Sequence, residues 1–92
     1  ELPAWDDIIT ANTPGSAPLS FPLLIAQGEA DTTIPPEVQQ QFVARLCAAG
    51  NTVDYRTYPD ATHLTVDMIS APDSVQWIAD RFAGAAPTAN CP

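Results

Sequence analysis

Six consecutive apolar residues, Phe21-Pro22-Leu23-Leu24-Ile25-Ala26, constrain the fold of this 92-residue chain more than any other feature. A strand with one wet face alternates apolar and polar residues. A run without a polar position belongs to a strand covered on both faces, as in a parallel sheet. Gln27-Gly28 ends the run. After a loop closing on Pro35-Pro36, the spacing predicts a helix from Glu37 to about Ala49. Pro36 suits the first helical position and Glu37 the positive end of the dipole. Val38, Phe42, Leu46 and Ala49 form the expected apolar stripe, and Gly50-Asn51 the stop. Thr52 to Tyr58 is expected to form a second strand, because Val53, Tyr55 and Thr57 alternate with Asp54 and Arg56 before Pro59 closes it. A last helix is expected from Pro72 to about Ala83, with Val75, Ile78, Ala79 and Phe82 facing inward and Gly84 at its end.

The order strand, loop, helix, strand, loop, helix predicts an α/β arrangement of two parallel strands with a right-handed crossover. Residues 1–20 read as a leading helix or helical turn and a loop: Trp5, Ile8 and Ile9 share a helical face, and Asn12-Thr13-Pro14-Gly15 stops it. Residues 21–84 carry the strand-helix-strand-helix core, and residues 85–92 form a tail. Two parallel strands do not make a stable sheet alone, because edges and faces both need cover. The whole of 1–92 is therefore expected to be one segment of a larger domain, carrying the last strands of its sheet.

Charge narrows the partners. Three arginines (Arg45, Arg56, Arg81), no lysine and eleven acids give a net charge of −8. No basic groove for phosphates can be built from so few cations, so nucleic acid is excluded, as is charge-driven docking on anionic membranes. No apolar run approaches the roughly 20 residues of a transmembrane span. Glu1-Leu2-Pro3-Ala4-Trp5 lacks the order of a signal peptide. Cys47 and Cys91 are either two reduced thiols or a disulfide tying the tail to the first long helix. The tail Pro87-Thr88-Ala89-Asn90-Cys91-Pro92 has no other apolar anchor, which favours the disulfide and an extracellular setting. One histidine and two distant cysteines make no metal set, and no cofactor is implied.

In open α/β sheets, functional groups sit beyond the carboxyl ends of the strands. There the chain has Gly28-Glu29-Ala30-Asp31-Thr32-Thr33-Ile34-Pro35 and Pro59-Asp60-Ala61-Thr62-His63-Leu64. Asp31 and His63, the only histidine, are thus expected on loops at one end of adjacent strands, the geometry an acid–base pair needs. Taken singly, Asp31 is a turn-stabilising residue, His63 a surface residue near a helix start, and Glu29 a rival acid. Ile34 and Leu64 flank the pair, as walls of an acyl pocket or as core.

Gly28-x-x-Asp31-x-x-Ile34-Pro35 after a buried strand resembles the catalytic-acid loop of α/β-hydrolases, and Tyr58-Pro59-x-x-x-His63 resembles their histidine loop. Asn12-Thr13-Pro14-Gly15, Leu46-Cys47-Ala48-Ala49-Gly50 and Cys91 extend the resemblance to microbial secretory lipases of the lipase A type, over nearly the whole chain. It implies a partial α/β-hydrolase fold, two parallel strands with two to three helices, from the C-terminal part of a secreted lipase or esterase. Asp31 and His63 would be its triad acid and base, acting on an ester or lipid substrate. The histidine loop departs from the Gly-x-x-His common in relatives, with Asp60-Ala61-Thr62 before His63. Ser16, Ser20, Ser70 and Ser74 are the only serines and none sits in Gly-x-Ser-x-Gly, so the nucleophile is expected outside this chain, in an upstream part of the domain or a companion chain. The rival expectations are a segment of a prolyl-oligopeptidase-like peptidase, which shares both loop patterns, and a non-catalytic fragment that binds a companion polypeptide, or itself, through its open sheet edge.

Overall fold

In the computed structural model, which describes residues 2–91, the chain forms α1 (Pro3–Ala11), β1 (Leu23–Gly28), α2 (Pro36–Ala48), β2 (Val53–Tyr58) and α3 (Val66–Phe82). The two strands pair in parallel, from Leu23 opposite Val53 to Gly28 opposite Tyr58. Alternate residues of each strand face α2, so Leu23, Ile25, Val53 and Tyr55 meet Phe42, Val43 and Leu46 in the core. α3 packs on β1 and β2, whereas α1 packs against none of the other elements. No helix among the described residues is long and apolar enough to cross a membrane.

The expected stripe on α2 is rotated. Val43, not Val38, is buried beside Leu46, and Val38 is exposed. The helix meets the sheet along the row Val43–Leu46, leaving Phe42 at the border. There the leading loop crosses it: a Cβ at Gly15, whose φ is +102°, would lie 3.0 Å from the Phe42 ring. Asn51 ties the same loop down, since its buried amide accepts the Leu19 N–H and donates to Ala17 O and Leu46 O.

The last helix starts at Val66, six residues before the expected Pro72, which lies inside it. Its start is built by the histidine loop. The Thr62 N–H bonds to the Thr65 hydroxyl, and Thr62 O accepts the N–H groups of Thr65 and Val66. Pro72 removes only the N–H that would reach Met68, on a face where both residues are exposed to water. The inward face also differs. The row Val66, Ser70, Ser74, Trp77 and Arg81 is turned to the sheet, while Val75, Ile78 and Phe82 are exposed, Phe82 at 89%. α3 carries apolar residues on more than one row, and two strands offer surface to only one.

The tail runs along the outer edge of β2. The Asn90 N–H donates to Val53 O, its side-chain oxygen accepts the Tyr55 N–H, and its side-chain N–H donates to Tyr55 O. Cys91 is disulfide-bonded to Cys47, 44 residues away. The Arg56 guanidinium and the Thr88 hydroxyl bind the Asp54 carboxylate; the Arg56 bond, outweighing burial, holds its carboxyl below the usual range with help from Thr88. One residue thus does for part of β2 what a neighbouring strand would do, and among the described residues the edge of β1 has no strand partner. Asn90→Ala should cost about 2 kcal/mol, since it removes two of these bonds. The check is hydrogen exchange: the Tyr55 amide should exchange at least tenfold faster while amides in α2 keep their rates.

Candidate active site

The carboxyl ends of β1 and β2 lie side by side because the strands are parallel and in register at Gly28 and Tyr58. The loops that leave them are joined at once. The Glu29 N–H donates to Tyr58 O at 2.9 Å and the Ala30 N–H to Ala61 O at 3.0 Å. Ala61 is buried beneath this contact. A Cβ on Gly28 would lie 2.3 Å from Ala61 O, a backbone atom that cannot step aside. Glycine is required there for room, so that the two loops can touch.

That contact sets Asp31 opposite His63. Asp31 is 6% exposed, and its Oδ1 accepts the N–H groups of Thr33 and Ile34, both at 2.8 Å. Its Oδ2 lies 3.0 Å from His63 Nδ1. Burial pushes the carboxyl up, but the Ile34 N–H, the His63 ring and the Thr33 N–H together outweigh it and leave it below the ordinary 3.8. Since a carboxylate only accepts, Nδ1 carries the proton in the neutral ring and Nε2 keeps a lone pair. Nε2 has no partner among the described residues, and the side chain is 46% exposed. A base is thereby held by one nitrogen and presented by the other.

The structure thus brings Asp31 and His63 together. Glu29 is exposed and makes no bond to the ring, and Asp67 instead binds the Met68 N–H in the first turn of α3. Ile34 lines a cavity of about 160 Å³ with Ala26, Gln27, Gly28, Asp31, Gln39, His63 and Val66. Leu64 does not line it and is 84% exposed. No serine lines the cavity, and Ser70 is buried in α3. Three residues escaped the sequence reading. Thr62 and Thr65 start α3 immediately around His63, and the signal was present as a Thr-x-x-Thr spacing. Gln27, buried below the acid loop, was visible only as a polar residue ending an apolar strand.

The family model described as secretory lipase matches residues 6–90. Lipase A of Moesziomyces aphidis is 30% identical over 71 residues, which is 77% of this chain and 15% of that protein. The X-ray structure of Candida antarctica lipase A in its closed state aligns with a TM-score of 0.68 at 30% identity, covering 77% of this chain and 16% of that one. The propionate-bound structure of Est2, an esterase from Thermogutta terrifontis, aligns with a TM-score of 0.58 at 24% identity over 79% of this chain and 30% of that one, a likeness of fold. The chain therefore spans about one sixth of the length of the lipase A relatives.

The lowered Asp31 carboxyl has a consequence with a definite sign. A folded-state value below the unfolded one adds stability above the ordinary carboxylate range, and that stability is lost as pH falls through the lowered value. In a carbon-13 NMR titration of the folded protein, the Asp31 carboxyl should therefore titrate below 3.8. A midpoint above that value would mean that burial outweighs the amide and imidazole bonds.

Proposed function

This chain belongs to the secretory lipase family, and on that premise we propose that it supplies the acid and the base of a triad hydrolysing carboxylic esters of the lipid class. The observation that carries the proposal is the 3.0 Å contact of His63 Nδ1 with an Asp31 carboxylate already fixed by two backbone amides. In this reading Nε2 takes the proton of a serine hydroxyl as that oxygen attacks the ester carbonyl. The imidazolium then gives the proton to the departing alcohol, and the acyl group is left on the serine. A water, deprotonated by the same Nε2, then attacks the acyl group, and the imidazolium returns the proton to the serine oxygen as the acid departs. Asp31 stays ionised throughout, orienting the ring and offsetting its transient charge. No cofactor enters these steps.

The serine and the donors for the oxyanion belong, in this proposal, to a part of the hydrolase domain outside these residues, of which 1–92 is the C-terminal segment. Three features support this. No serine lines the cavity beside His63, the outer edge of β1 has no partner among the described residues, and the matched part of the chain covers only about one sixth of the lipase A relatives. The missing strands would add at that edge and cover the apolar row of α3. Ile34 would form a wall of the acyl site, and Leu64, exposed beside the ring, would meet the same chain. The family and the Cys47–Cys91 disulfide both favour a secreted enzyme.

The test is turnover of a short p-nitrophenyl ester by the full-length protein. His63→Ala and Asp31→Asn should each lower kcat by about 10⁴-fold, with the fold retained. Rates within tenfold of the parent would overturn the proposal, as would His63-dependent turnover by the isolated 92-residue chain.

A further inference from the structure

We infer that Gln27 is a positioning residue for the acid–base pair: its carboxamide clamps the two ends of the loop that carries Asp31. The inference rests on the proposed function above and adds a residue to it. Leu23, Ile25 and Gln27 alternate on the face of β1 that α2 covers, and the first two are apolar members of the core. The third is an amide with 2% exposure. Burying an amide is costly unless its groups are paired. A leucine or methionine would fill this place in the row without that cost, so packing alone does not account for a glutamine.

Its hydrogen bonds do. Gln27 Nε2 donates to Gly28 O at 2.9 Å and to Ile34 O at 3.1 Å. Gly28 begins the acid loop and Ile34 stands near its end, with Asp31 between them. Ile34 is therefore held on both sides, its N–H by Asp31 Oδ1 and its C=O by Gln27. Gly28 O receives the Asp31 N–H as well, at 3.3 Å. The side chain that orients His63 thus sits in a loop closed across its base by one buried amide. Gln27 touches neither Asp31 Oδ2 nor the His63 ring by hydrogen bond, so it acts through the loop. Loss of the clamp frees Ile34 to move, and misplacement by about 1 Å at such a site can cost on the order of 100-fold in rate.

The experiment uses the full-length enzyme with a p-nitrophenyl ester. Gln27→Met keeps length and apolar packing but removes both donors. It should lower kcat about thirtyfold, change KM by much less, and move the Asp31 carboxyl titration upward as the Ile34 amide drifts away. Gln27→Leu likewise fills the site without donors and should show the same split. A side chain that only fills space would alter the melting temperature without separating kcat from KM or moving that titration. If both variants keep kcat within twofold, or if every loss of rate follows the unfolded fraction, the positioning role is wrong. A Gln27 variant at full rate beside an inactive His63→Ala overturns this inference alone, whereas full activity in His63→Ala overturns the parent reading with it.

Discussion

Ala61 O, pressed against Gly28 and bonded to the Ala30 amide, is the contact on which the rest of the site depends. It joins the acid loop to the histidine loop at the point where each leaves its strand. Parallel pairing of β1 and β2 brings the loops near one another, but nearness alone does not give a hydrogen bond of 3.0 Å between two side chains. The backbone contact does, because it removes the freedom of the loops to slide. Everything beyond it is local. Asp31 is fixed by the amides of its own loop, and His63 stands one residue from the Thr62–Thr65 bonds that start α3.

The same residues explain what was legible in the sequence. The parallel pair of strands followed from the unbroken apolar run at Phe21–Ala26, and the pairing of Asp31 with His63 followed from two loops at one end of that pair. Both are consequences of chain order, which sequence states directly. The boundaries of α3 were not legible in the same way. Pro72 is a strong local signal for a helix start, yet two threonines closer to His63 supplied a better one and left the proline on a wet face. Gln27 was hidden for a related reason. Its two acceptors are backbone carbonyls, which every residue possesses, so nothing in the residue types announces the clamp.

The inward face of α3 failed for a different physical reason. Val75, Ile78 and Phe82 have the spacing of a buried stripe but lie exposed. Amphipathic spacing reports that a face is to be covered without reporting by what. The sheet beneath α3 has two strands, and the helix spends its limited contact on the row led by Val66 and Ser70. The two sheet edges show the contrast. At β2 a covalently held tail satisfies Val53 and Tyr55 and covers that part of the edge. At β1 the backbone has no strand partner among the described residues, and an apolar hollow between Leu23, Leu24, Trp77 and Ile78 adjoins it. A covered edge and an open one on the same small sheet are what the proposed role, a segment to which further strands add beside β1, requires.

The central claim is that this fold delivers a histidine with its Nδ1 proton committed to Asp31 and its Nε2 lone pair open to a nucleophile. Nitrogen-15 NMR of His63 in the folded protein at neutral to mildly alkaline pH tests it most directly. The account predicts the neutral ring in the Nδ1–H form, with that proton shifted downfield by its bond to the carboxylate and the shift abolished in Asp31→Asn. A neutral ring in the Nε2–H form, or an Nδ1 proton indifferent to Asp31, would contradict it.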